Sequence, residues 1–173
     1  MKLGKYSLGI GDRFNHEGKA QLGAIIKAKN NGVDVTPVWN KSNREHNIVH
    51  SEPEGTRIEA DEAVRILEWE DTYCVDADHI NLSNVDRFID HADFFTLDVA
   101  MYIGNESPAI DVEEFIDLCI VLGEQVEIPG IDEPIVITEE LLKLVARKYL
   151  AAIKEAGKIY RHSVGKKGNG KFI

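Results

Sequence analysis

The sequence predicts an α/β fold assembled from parallel βα units. Short apolar runs bounded by glycine, asparagine or aspartate alternate with longer stretches of helical periodicity, the pattern that parallel sheets require. The chain has 173 residues, the size of one ordinary domain, and an apolar fraction of 43% that can bury a core. No apolar run approaches the roughly 18 residues that cross a bilayer.

The elements follow in order. Lys5 to Gly11 reads as a short buried strand ending in glycine. Gly18 to Asn31 reads as a helix with Leu22, Ile25 and Ile26 on one face and Gly32 as its stop. Val33 to Trp39 is a second strand, and Glu54 to Trp69 a second helix with Ile58, Ala63, Ile66 and Leu67 on its apolar side. Tyr73 to Asp76 is a third strand, after which Ser83 caps a short helix containing Val85, Phe88 and Ile89. Phe94 to Asp98 is a fourth strand. The rhythm then changes. Val112 to Leu122 is an amphipathic helix with Phe115, Leu118 and Cys119 in step, and Val126 to Ile137 reads as two extended pieces about the Pro129-Gly130 turn. Thr138 caps a long helix to about His162, Lys166 to Lys171 is a basic loop, and Phe172-Ile173 reads as the start of a fifth strand. The expected organisation is a single domain with three parts: residues 1–104 as four βα units, 105–137 as an insertion-like helix and hairpin, and 138–173 as the long helix, loop and strand start.

The net charge of −10 argues against a nucleic-acid or anionic-membrane partner. It is uneven, −17 over residues 1–143 and +7 over residues 144–173, the latter read first as a solvated basic helix end. Cys74 and Cys119 form neither a metal-type cluster nor a disulfide framework, and the N-terminus lacks the apolar core of a secretory signal, so a reduced, cytoplasmic setting is expected.

In (β/α) folds the chemistry sits just past the C-terminal ends of the strands. Those positions hold Asp12-Arg13, then Asn40 to His46, then Asp76-Ala77-Asp78-His79, then Asp98. The third is the densest. Residues two apart in a strand share a face, so Asp76 and Asp78 can converge, and carboxylate with imidazole suits a divalent cation such as Mn²⁺ or Zn²⁺. The alternative is helix capping beside an ordinary loop histidine. Arg13, Lys41 and Arg44 have the chemistry to clamp a carboxylate or phosphate, or else pair with Asp12 and Glu45. His16, His46 and His50 read as bystanders in polar loops, and Trp39 and Trp69 as packing residues. Two nucleotide motifs fail: Phe14 stands at the third glycine after Gly9-x-Gly11, and Phe172 replaces the hydroxyl after Gly170-Lys171.

Four strand-end motifs, Gly9-Ile10-Gly11-Asp12-Arg13, Ser42-Asn43-Arg44-Glu45, Val75-Asp76-Ala77-Asp78-His79 and Phe94-Phe95-Thr96-Leu97-Asp98, together resemble the tagaturonate epimerase family of hexuronate breakdown. The resemblance implies a metal-dependent TIM-like barrel, of which this chain is a partial barrel, and an isomerase that inverts C4 of D-tagaturonate to give D-fructuronate. It implies His79 as a metal ligand, of an Mn²⁺ or Zn²⁺ type of cation, and Asp78 as the proton acceptor. Arg13 or Arg44 would hold the uronate carboxylate, with Asp12, Ser42, Glu45, Asp76 and Asp98 around the substrate. Family members continue past the position matching Ile173 into segments expected to supply further ligands. The 173-residue chain is therefore expected to be incomplete and inactive alone, pairing with a second copy or a missing C-terminal half. The alternatives are a non-catalytic binding or regulatory half-barrel and a different metal-dependent ketose isomerase or aldolase.

Overall fold

The computed structural model describes residues 3–121 and 123–173. In chain order the elements are β1 (Ser7–Ile10), α1 (Gly18–Asn30), β2 (Thr36–Ser42), α2 (Asn43–Val49), α3 (Pro53–Ile66), β3 (Cys74–Ile80), β4 (Phe94–Leu97), α4 (Ala109–Ile120), β5 (Gln125–Val126), β6 (Ile135–Val136) and α5 (Glu139–Lys167), with 3₁₀ turns at Val85–Arg87 and Ala100–Tyr102. Chain contacts divide these into two units: residues up to Asp98 with Ile159–Ile173, and Val99–Lys158.

The first unit is built on a four-stranded sheet in the order β1-β2-β3-β4, every pair parallel. The α/β expectation is thus met. Alternation along the strands separates two faces. Ile10, Trp39 and Val75 lie across from one another in register and pack on Leu22 and Ile25 of α1 and on Ala60 and Ala63 of α3. The two alanines bury only a methyl each, so α3 lies close against the sheet while Trp39 fills the space between strand and helices. The opposite face carries Val38, Cys74 and Phe94 toward the strand starts and Asn40, Ser42, Asp76, Asp78 and Thr96 toward the other end, so it turns polar toward the strand ends. Close strand approach at its rim requires Gly11, where a Cβ would stand 2.3 Å from the Asn40 carbonyl oxygen.

Ile173 continues the sheet. Its N–H donates to the Asp93 carbonyl (2.8 Å) and its carbonyl accepts from Phe95 N–H (3.0 Å), the slanted pair of bonds of a parallel ladder centred on Phe94. Phe172 stacks edge-on against Phe95, ring centroids 5.2 Å apart. Ile173, where a fifth strand is expected to start, thus lies beside β4, although no strand forms there.

Several boundaries differ from the sequence expectation. Strand β2 runs on to Ser42 and β3 to Ile80, so Lys41, Ser42 and His79 are strand residues instead of loop residues. The helix Asn43–Val49 was not expected, and it turns His46 from a loop bystander into a buried side chain. Ser83 does not cap the following turn; its N–H and hydroxyl both donate to the Asn81 side chain. The long helix extends to Lys167, with Thr138 Oγ1 accepting from Leu141 N–H as expected of its cap.

In the second unit α4 is followed by the hairpin of β5 and β6, antiparallel with Gln125 opposite Val136, and Gly130 takes φ +87° in the connecting turn. Asp111 pairs with Lys154, and Gly104 N–H donates to the Lys148 carbonyl. The expected helix 112–122 is observed as α4, and its last expected residue, Leu122, lies outside the described residues, as do Met1 and Lys2. Among the described residues no helix is long and apolar enough to cross a membrane.

Candidate functional site

A cavity of about 570 Å³ opens at the C-terminal edge of the sheet, lined by Ser42, Asn43, Arg44, Asn47, Ile48, His79, Asn81, Asn84 and Asp98. The parallel topology puts it there. Because all four strands point the same way, Asp12 beyond β1, Ser42 at the end of β2, Asp78 and His79 in β3 and Asp98 beyond β4 reach one rim.

His79 enters the cavity through a backbone irregularity. The pairing of β3 with β4 slips between Ala77 and Ile80, and His79 itself takes φ +54°, in the left-handed region. A residue with a Cβ is disfavoured there, and bulges that re-aim one side chain concentrate near functional sites. The result is an imidazole 64% exposed at a strand end, with Nε2 3.8 Å from Oδ2 of Asp78, whose own side chain is 17% exposed.

Ser42 and Glu45 form a reciprocal capping box. Ser42 Oγ accepts from Glu45 N–H (3.2 Å), and Glu45 Oε2 accepts from Ser42 N–H (3.1 Å). Burial would raise the Glu45 carboxyl, but its bonds from Ser42 and from Arg13 (Nε to Oε1 3.2 Å) hold it below the usual range. The box starts α2 directly after β2 and thereby delivers Arg44 and Asn47 to the cavity. Arg87 fixes the same helix from the side, donating to Asn43 and Asn47 (both 2.8 Å) and to the Ser51 carbonyl.

Asp76 is buried on the polar face, where Oδ1 accepts from Thr96 N–H (3.1 Å) and Oδ2 from Thr96 Oγ1 (2.8 Å). Burial pushes its carboxyl up to about 6, against the Thr96 bonds and with the help of Asp78. Asp12 caps its own loop, accepting from the N–H groups of Phe14, His16 and Glu17. Lys41 is not the anion clamp its sequence position suggested. It is 2% exposed, and its ammonium donates to the Arg13 carbonyl, Asn15 Oδ1 and Ser51 Oγ. Of the sequence candidates, then, Ser42, Arg44, His79 and Asp98 line the cavity; Asp78 adjoins His79; Asp12, Arg13, Glu45 and Asp76 stand in the supporting network.

Asn43, quoted only within the Ser42-to-Glu45 motif, lines the cavity together with Asn47, Asn81 and Asn84, none of them a candidate site residue from the sequence. The capping-box spacing Ser42-x-x-Glu45 was the available signal for the first two. For the others it was the pair of asparagines, Asn81 and Asn84, just past the end of β3. As for a metal, no three His, Cys, Asp or Glu side chains converge among the described residues. His79 and Asp98 bring one imidazole and one carboxylate, donor types that suit Mn²⁺ or Zn²⁺ but fewer than a closed ligand set.

The polar cavity lies at the carboxyl ends of parallel strands, the edge at which open α/β sheets hold their ligand sites. No protein-family model matches the sequence, and no curated protein does. Among solved structures the fold is similar to that of the fructuronate-tagaturonate epimerase UxaE from Cohnella laeviribosi. A glycerol complex superimposes with TM-score 0.72 at 19% identity over 97% of this chain and 36% of that one. The native crystal structure superimposes with TM-score 0.69 at 20% identity over 96% and 36%. The chain thus spans little more than a third of the solved chains it matches.

Proposed function

We propose that the chain forms one wall of the active site of a sugar-acid epimerase that interconverts D-tagaturonate and D-fructuronate on a TIM-like barrel. The observation that carries the reading is the left-handed bulge that turns His79 into the strand-end cavity, on a fold similar to that of an enzyme named for this interconversion. Arg44 offers a guanidinium fork to the uronate carboxylate, and the asparagine side chains meet the sugar hydroxyls. Asp78, beside His79, accepts and returns the proton. His79 would hold a divalent cation of the Mn²⁺ or Zn²⁺ type, with Asp98 the nearest further donor in the cavity lining. Such a cation, when bound, would polarise the ketose carbonyl and so make the sugar acidic, or cleavable, beside it. The incomplete donor set also favours a second reading, a ketouronate-binding module without turnover.

The test is a titration of the isotopically labelled chain with D-tagaturonate and with D-fructuronate, with and without Mn²⁺-free Zn²⁺, followed by amide and imidazole resonances. Shifts confined to His79, Arg44, Asn81 and Asp98, weakened in Arg44→Lys, are expected. Equal response to neutral ketoses, or response elsewhere in the chain only, overturns the assignment of a uronate to this cavity.

A further inference from the structure

Behind the Asp12 turn lies a second carboxyl that the site does not use. Glu59 of α3 is 9% exposed; its Oε1 accepts from Gly18 N–H (2.6 Å), while the buried Oε2 receives no donor. A Cβ on Gly18 would stand 2.7 Å from Glu59 Cγ, so the turn and the helix are in close contact. The carboxyl also meets the side chain of Asp12, whose two oxygens already accept three backbone N–H groups. Two carboxylates cannot both stay ionised at such a contact. Asp12, saturated with N–H donors, is the one that keeps its charge.

We infer that Glu59 is a positioning residue that holds one proton against Asp12 and so fixes the turn from Asp12 to Glu17, which carries Arg13. When protonated, Glu59 can share its proton with Asp12 while Oε1 accepts from Gly18, tying α3 to the start of α1. Loss of that proton to solvent leaves two facing carboxylates, and the turn loosens. Burial is the largest influence raising the Glu59 carboxyl, to about 7, against the Gly18 bond and with Asp12 adding to the rise; Lys41 of β2 opposes it. Asp12 moves the other way: burial would raise it, but the N–H groups of Glu17, Phe14 and His16, with Glu59, hold it below the usual range. The other charged groups around Glu59 are His16 and Lys19 from the α1 end and Glu62 on its own helix.

The experiment uses the 173-residue chain and no turnover, so it is decided independently of the proposed epimerase activity. The ¹³C carboxyl resonance of Glu59 is followed from pH 5 to pH 9, with hydrogen exchange of the His16, Glu17 and Gly18 amides corrected for hydroxide catalysis. A Glu59 titration near neutrality is expected, with protection of these amides falling about tenfold or more above it, in line with the proton linkage. Glu59→Gln, a permanently neutral group that retains both a donor and an acceptor, should keep that protection constant across the range. His16→Gln should leave the wild-type behaviour in place. A Glu59 resonance that titrates in the ordinary carboxylate range overturns the inference, as does a protection loss that persists in Glu59→Gln or vanishes in His16→Gln.

Discussion

At His79 the backbone sits at φ +54°, where a Cβ crowds the following carbonyl, and glycine alone escapes that penalty. His79→Gly is therefore expected to be more stable than His79→Ala by about 1 kcal/mol in urea titration, although neither carries the imidazole. Equal stabilities would show that the bulge relaxes when the ring is removed. A second histidine acts through charge. His46 is buried, its Nδ1 2.9 Å from Ser51 Oγ and its ring edge against Phe88. Burial, with Lys41 and Arg87 close by, lowers it from 6.5 to about 4. A base whose folded pKa is lowered contributes stability that is present above 6.5 and lost as pH falls toward 4. Asp76, raised from 3.8 to about 6, contributes in the opposite sense, its stabilisation fading as pH rises through 6. Comparison with His46→Gln separates them: the wild type should lose more stability than the variant between pH 6.5 and pH 4, measured as the urea midpoint.

At the scale of elements, α2 depends on a cap instead of on length. Seven residues make a marginal helix, and the Ser42–Glu45 box satisfies its first N–H groups. Ser42→Ala is expected to cost about 1 kcal/mol and to broaden the Arg44 and Asn47 resonances. The parallel order of β1 to β4 could be read from the alternation of strand and helix patterns, with Leu22 and Ile25 inward on α1. On α3, however, the face read as Ile58, Ala63, Ile66 and Leu67 is turned: Ala60 and Ala63 are buried while Ile58 and Ile66 stay exposed. Short polar α2 could not be read that way, having only His46 buried, and only its cap spacing betrayed it. The site was half legible for the same reason. Strand ends mark where Asp12, Ser42, Asp78, His79 and Asp98 go, but the sign of φ at His79 is set by the slipped register with β4, a property of two strands and not of one sequence window. Lys41 was misread because nothing local says that β2 continues past Trp39 and that three segments converge on its ammonium.

For the whole molecule the arithmetic of donors decides what the chain does unaided. Among the described residues, one imidazole and neighbouring carboxylates at the cavity fall short of three converging ligands. The 173-residue chain with added Mn²⁺ or Zn²⁺ is accordingly expected not to interconvert D-tagaturonate and D-fructuronate, followed by ¹³C spectra of the sugar. Conversion by this chain would show that the residues in hand suffice. In a form of the protein that does turn over, His79→Ala should lower metal content, whereas Asp78→Asn should spare metal and abolish conversion, if the proposed division of roles, coordination by His79 and proton transfer by Asp78, holds.

The buried ammonium of Lys41 has a consequence for chemical labelling. An amine acylates only as the neutral base and only where reagent can touch it. Lys41 is 2% exposed with its three protons directed at Arg13, Asn15 and Ser51, whereas Lys19 and Lys27 stand at the surface. Brief treatment of the folded chain with acetic anhydride should mark Lys19 and Lys27 and leave Lys41 unmodified in the peptide map. Once acylated, Lys41 could no longer hold the Arg13 segment, so its slow labelling would count how often that rim of the sheet comes apart.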